Sequence, residues 1–303
     1  MLRTATRRVY CVSIQRMGGL LRDGFSQWWE HNAFQLAAAL AYYTVFSLTP
    51  LLTIAIAIAA LVFGQEAAQN HIVGGLRGLI GDASAKAIQD TIRASANKSS
   101  GSLAAIIGAF VLFLGAAGVV GQLQQSLNFI WGVKVKSGWR IIIRDRMFSF
   151  ALVLAIGFLL LISLVVTTIL SALTAYFSTL FLFNTYVWQI IDTAVSFAFV
   201  TVLFGIIYKI LPDVQLTWGD VATGATITSL LFTAGKFLIG FYLGHATFSS
   251  TYGAAGSFIT LLVWVYYSAL IFFFGAEITQ VYATRYGSGV VPTPLAKPAR
   301  KST

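Results

Sequence analysis

AGSFITLLVWVYYSALIFFFGAEITQV, residues 255–281, contains one charged side chain, Glu277, and its length decides the fold. A helix rises about 1.5 Å per residue and a bilayer core is about 30 Å thick, so about 20 apolar residues cross it. Five further runs of this kind stand at roughly 34–63, 103–128, 148–175, 187–210 and 221–243. The whole chain agrees. Its 303 residues are 57% hydrophobic and 10% charged, against about 25% charged in soluble domains, and the mean hydropathy is +0.80. A disordered or nucleic-acid-wrapping chain is excluded. The predicted fold class is all-α: a polytopic membrane protein with six transmembrane helices.

Charge sets the orientation, because loops rich in Lys and Arg stay in the cytoplasm. Five basic residues precede the first run, five (Lys134, Lys136, Arg140, Arg144, Arg146) lie between the second and third, four follow the sixth, and Lys209 adds another. The opposite side has Arg77, Lys86, Arg93 and Lys98. Fifteen against four puts both termini in the cytoplasm. Trp28, Trp29, Trp131, Trp139, Trp188 and Trp218 fall near span ends, as an interfacial aromatic belt requires.

Three regions follow. Residues 1–32 form a cytoplasmic amphipathic segment, in which Met17, Leu21, Phe25 and Trp28 recur at helical steps. This segment either lies on the membrane surface or packs on the cytoplasmic ends of the spans. Residues 33–283 form the six-helix domain, with an outer loop at 65–102 whose four glycines between 74 and 81 disfavour an independent helix. Residues 284–303, rich in Gly, Pro, Ser and Lys, are expected to be a disordered cytoplasmic tail.

An ionisable group inside a span costs roughly 2.5–3.5 kcal/mol, so each needs a partner or a purpose. Asp192, Lys236 and Glu277 are the three. Asp192 lies about 26 Å from Lys209 and Lys236 about 24 Å from Asp220 along their helices, which sets the two at matching heights near the outer leaflet. Either they form a structural ion pair that fixes helix register, or Lys236 binds an anion in a cavity open to the outer side. Lys236 also ends a stripe, Thr226, Ser229, Thr233 and Lys236, along one helix face. Glu277 is expected to form a structural salt bridge with Lys209 or a basic loop residue, the alternative being a proton-coupling role. Pro50 implies a kink in the first span, which either opens the face of Tyr43, Ser47 and Pro50 onto a polar surface or merely wraps the span round its neighbours, and Tyr267 lies on an aromatic face of the sixth. Gly240/Gly244 and Gly115/Gly118/Gly121 have the spacing of close helix contacts.

Catalytic signals are missing. One cysteine, Cys11, excludes a thiolate cluster within the chain, His31 lies on the opposite side from His71 and His245, and no HExxH, P-loop or GxSxG occurs. No cofactor, no metal and no enzymatic activity are expected.

The runs AAALAYYTVFSLTPLL (37–52), SLNFIWGV (126–133), YKILPDVQLTWGDVATGA (208–225) and YGAAGSFITLLVWVYYSALIFFFGAEITQVYA (252–283) resemble the YihY/virulence factor BrkB family of bacterial inner-membrane proteins. The resemblance spans about residues 15–285 and implies six membrane helices with both ends cytoplasmic. Positions matching the family's recurrent residues include Tyr42, Tyr43, Pro50, Asn128, Pro212, Lys236, Tyr252, Gly253, Gly256, Gly275 and Glu277, but not Asp192. Members have been labelled ribonuclease BN, and others are named for virulence or serum resistance. Two-metal hydrolysis needs converging carboxylates, and the cytoplasmic acids here are scattered singly. The expected role is a transporter or flippase-like handler of an anionic amphiphile, with membrane lipids as partners and no specific nucleic acid. The alternative is a non-transporting scaffold for envelope proteins.

Overall fold

A computed structural model of the chain describes residues 14–44, 118–135, 185–245, 254–294 and 296–299, with single positions at 64, 74 and 89. Helix α1 is Ile14–Glu30, α2 covers 33–44 and α3 covers 118–130. Then come β1 (Val133–Val135), α4 (Thr185–Ile210), β2 (Val214–Gln215), α5 (Trp218–His245), α6 (Ala254–Arg285), β3 (Val291–Pro292) and β4 (Ala296–Pro298). The described residues are mostly helical. Helices α4, α5 and α6 reproduce the apolar runs predicted at 187–210, 221–243 and 255–281, each extended by a few residues. Among the described residues two segments are long and apolar enough to cross a membrane, Thr193–Ile210 and Ile259–Arg285. The runs at 34–63 and 103–128 are described only in part, and the run at 148–175 and the outer loop lie outside the described residues.

Local chemistry sets the element ends. Pro212 cannot continue α4, which stops at Ile210. Thr217 caps α5: its Oγ1 accepts from the Asp220 amide at 3.3 Å, and Asp220 Oδ2 accepts from the Thr217 amide at 3.0 Å. This is a capping box with Asp in the Glu position. Gly132, at φ 62°, closes α3 in the left-handed conformation that glycine adopts without cost.

In space α5 lies between α4 and α6, and α1 packs on the far side of α6. The α5–α6 contact is a reciprocal clasp. Thr228 Oγ1 donates to Gly224 O of its own helix at 2.7 Å and covers Gly275 of α6; Thr279 Oγ1 donates to Gly275 O at 2.8 Å and covers Gly224 of α5. A Cβ on either glycine would fall on the opposing threonine. Tyr208 of α4 reaches the same point, donating to Phe272 O at 2.6 Å with its oxygen 3.0 Å from Thr228 Oγ1. All of Tyr208, Thr228 and Thr279 are buried.

The tail is ordered across 286–294 and 296–299, which corrects the expectation of a disordered 284–303 segment. Strand β3 pairs antiparallel with β2 (Val214↔Pro292, Gln215↔Val291), and β4 pairs antiparallel with β1 (Val133↔Pro298, Lys134↔Lys297, Val135↔Ala296). Composition signalled only that this segment cannot build a core of its own. It borrows partners from two loops of the bundle instead: Thr293 N donates to Asp213 O at 3.0 Å and Ala299 N to Gly132 O at 2.7 Å. Beneath it Asp213 Oδ2 accepts from Gln124 Nε2 at 3.1 Å and Asn128 Nδ2 at 2.8 Å, and the Asp213 amide donates to Asn128 Oδ1 at 2.8 Å. Buried Leu127, Trp131, Leu211, Val214, Leu216 and Ala296 fill this end.

The clasp and α1 give opposite expectations for the same substitution. Gly275→Ala forces Thr228 and Tyr208 aside and should destabilise the protein by roughly 1–3 kcal/mol. Gly18→Ala, in open space on an exposed helix, should be neutral or stabilising by up to about 1 kcal/mol. Thermal unfolding in detergent ranks the two, and equal melting temperatures would remove the clasp from the account.

Candidate functional site

The three charged residues of the predicted spans have different surroundings. Glu277 is fully buried on α6, and His31, just past the end of α1, donates from Nδ1 to Glu277 Oε1 at 2.7 Å. The expected partner, Lys209, is committed elsewhere: its Nζ donates to Leu216 O at 2.5 Å and lies 5.3 Å from the centre of the Trp218 ring. Helix α1 reaches Glu277 because Gly24 lets it approach closely; a Cβ there would sit 2.9 Å from Ile278 Cγ1. Trp28 Nε1 donates to Leu270 O at 3.2 Å, and Arg285 pairs with Asp23. Of the two readings of the N-terminal segment, packing on a span is therefore what α1 does. It also shows an outward apolar stripe of Leu21, Phe25 and Trp29.

The α1–α6 region has acceptors to spare. Gln27 Oε1, Glu277 Oε2 and Gln280 Oε1 are buried without a hydrogen-bond partner among the described residues. Oxygens in that position take up a proton or a bridging water. The hydrogen bond to Glu277 raises the His31 pKa above its ordinary value, prevailing over the opposing effect of burial. Just beyond the C-terminus of α6, burial alone would raise the Asp220 carboxyl. The Ser288 and Thr217 hydrogen bonds, including Ser288 Oγ at 2.6 Å, outweigh it and hold the group below its ordinary range.

Lys236 is exposed on α5. Asp192 is on α4, and its side chain lies outside what the structure describes. Along the predicted stripe, Thr226 is exposed and back-bonds to Ala222 O at 2.8 Å, Ser229 is buried and back-bonds to Ala225 O at 2.8 Å, and Thr233 is half-buried. The face that is open at Lys236 is thus covered seven residues earlier, at Ser229, and open again at Thr226. Tyr267 joins it from α6: its hydroxyl would meet a Cβ on Gly235, the residue before Lys236, at 2.8 Å. Tyr43 is exposed at the end of the described part of α2, with its ring beside Gly118 of α3. Ser47 and Pro50 lie outside the described residues.

Sequence reading missed His31 as the partner of Glu277, Asp213 as the acceptor for Gln124 and Asn128, and Tyr208. A signal existed for the first: His31 stands two helical turns after Gly24 in an otherwise apolar-faced segment, where an ionisable side chain needs an explanation.

The His31 shift fixes a sign. A raised folded-state pKa stabilises the fold fully below the ordinary value near 6.5, and that contribution is lost as pH rises through the raised value. The wild-type melting temperature should therefore fall between pH 6 and pH 9, and His31→Gln should flatten the profile. A wild-type profile as flat as the variant's would remove the pair from the stability account.

The virulence factor BrkB family profile matches residues 25–300. A UPF0761 membrane protein of Vibrio campbellii is 30% identical over 260 residues, which cover 82% of this chain and 77% of that one. A UPF0761 membrane protein of Mannheimia succiniciproducens is 25% identical over 296 residues, covering 91% and 92%. Ribonuclease-like protein YfkH of Bacillus subtilis is 25% identical over 272 residues, covering 88% and 95%. No solved structure matches. With more than half of its length matched, the chain belongs to the virulence factor BrkB family of membrane proteins.

Proposed function

We propose that this membrane protein is a transporter or flippase-like handler of an anionic amphiphile, such as a phospholipid or a lipopolysaccharide precursor, in the bacterial inner membrane. Its termini face the cytoplasm, and Lys236 engages the anionic group. One observation carries the reading: a single polar face of α5 is exposed at Lys236, half-buried at Thr233, buried at Ser229 and exposed again at Thr226. An amine about 27 Å along an apolar helix is costly in hydrocarbon, and an anionic headgroup offsets that cost. The same helix leaves Leu230 and Leu238 exposed at 62% and 68%, an apolar surface that suits acyl chains.

The ribonuclease-like name of YfkH belongs to that protein. Among the described residues no group of three His, Cys, Asp or Glu side chains gathers as a metal site would need. The acids there have other commitments: Asp23 to Arg285, Asp213 to two amides, Asp220 to Thr217 and Ser288, and Glu277 to His31. These commitments favour the amphiphile reading over hydrolysis.

Proteoliposomes with a fluorescent anionic lipid and an impermeant quencher test it. Wild type should expose the lipid faster than an unrelated six-span protein at matched density. Lys236→Ala should slow exposure at least about tenfold, the loss of roughly 1.4 kcal/mol of recognition, and Lys236→Arg should retain part of the rate. Equal rates for wild type and Lys236→Ala, both folded, would end this reading and favour the scaffold for envelope partners.

A further inference from the structure

Lys134 and Lys297 stand directly opposite each other in the β1–β4 pair. Gly132 O accepts from the Ala299 amide at 2.7 Å, and alternation along an antiparallel pair then makes Val133↔Pro298 a non-bonded position and Lys134↔Lys297 a bonded one. Pro298, which has no amide donor, fits that placement. In a bonded pair the Cα atoms are about 5.5 Å apart and both side chains leave the same face. Val133 and Ala296 turn inward and are buried, and both lysines are exposed.

Like charges directly opposite destabilise a strand pair, and this pair has only three positions to sustain it. Neither lysine forms an ion pair among the described residues, whose buried acids are committed elsewhere. The location defines what can reach them. The apolar segment of α4 ends at Ile210 and that of α6 at Arg285, and the strap of strands follows within a few residues of both. Exposed Trp218 and Tyr286 flank it, the residue types that anchor at headgroup depth.

We propose that Lys134 and Lys297 together hold the phosphate of an anionic phospholipid, such as phosphatidylglycerol, from the adjoining leaflet, and so fasten the C-terminal strap to the bilayer surface. Two ammonium groups projecting from neighbouring strands bracket one phosphodiester, and the bound anion turns a repulsive cross-strand pair into a cohesive one. A zwitterionic headgroup brings its own cation and gains less. This site is independent of Lys236.

The test uses the full chain, delipidated in a neutral detergent, with thermal unfolding read after addition of phosphatidylglycerol, phosphatidylcholine or inorganic phosphate. Phosphatidylglycerol should raise the wild-type Tm by several degrees more than phosphatidylcholine does. The Lys134→Gln/Lys297→Gln variant should lose most of that difference. Lys134→Glu places opposite charges across the pair, so it should melt at or above wild type without lipid and lose the response, which gives the answer even if the double variant does not fold. An undiminished response in Lys134→Glu overturns the proposal. A wild-type shift reproduced by inorganic phosphate overturns the lipid as the source of the anion.

Discussion

The reciprocal packing of Thr228 over Gly275 and Thr279 over Gly224 is the contact on which the rest of the described structure depends. In lipid the hydrophobic effect does not draw helices together, because acyl chains are as apolar as leucine. Association then rests on close packing and on polar groups that would otherwise be stranded. The clasp uses both. Each glycine removes a side chain so that the backbones approach, and each threonine satisfies its hydroxyl on its own helix before presenting its methyl and oxygen across the gap. The two Gly–Thr pairs run in opposite directions, so the contact closes at one register only. That register brings Gly235 beside Tyr267, next to Lys236, and Tyr208 ties α4 into it through Phe272.

At the end of the bundle below the clasp, polar residues take over from apolar packing. Asp213 gathers Gln124 and Asn128 of α3, and Asp220 is at once the capping acid of α5 and the acceptor for Ser288 of the tail. Each carboxylate therefore joins segments far apart in sequence, and the strap lies across both. A segment with three prolines and two glycines cannot form a helix here, but two short strand pairs demand little of it. Pro292 and Pro298 stand at strand positions that ask for no amide.

Much of this was legible. The apolar runs of α4, α5 and α6 could be placed to within a few residues because length and charge depletion are properties of the segment itself. The clasp was harder to read: Gly-x-x-x-Thr occurs at 224–228 and again at 275–279, but small-residue spacing is common in membrane helices, and Gly240/Gly244 looked equally good. The partner of Glu277 was illegible for a different reason. Proximity along the charge map favoured Lys209, whereas the chain folds α1 back along α6 and delivers His31 from 246 residues away. The tail misled because composition reports only what a segment can do alone. Its order comes from loops at 133–135 and 214–215 that supply the missing edges.

Glu277 and Lys236 are charges of opposite sign on neighbouring apolar helices, and the fold treats them differently. Glu277 is closed off: α1 is brought against α6 through Gly24 and Trp28, His31 meets one carboxylate oxygen, and no surface remains. Recruiting a whole amphipathic helix to cover one acid is what a structural or proton-holding group requires, since a buried carboxylate stripped of its partner is destabilising by several kcal/mol. Lys236 stays exposed on α5, as do Leu230 and Leu238. A flexible amine with an apolar stem suits a boundary between protein and lipid, because the stem packs on hydrocarbon while the head follows the nearest anion.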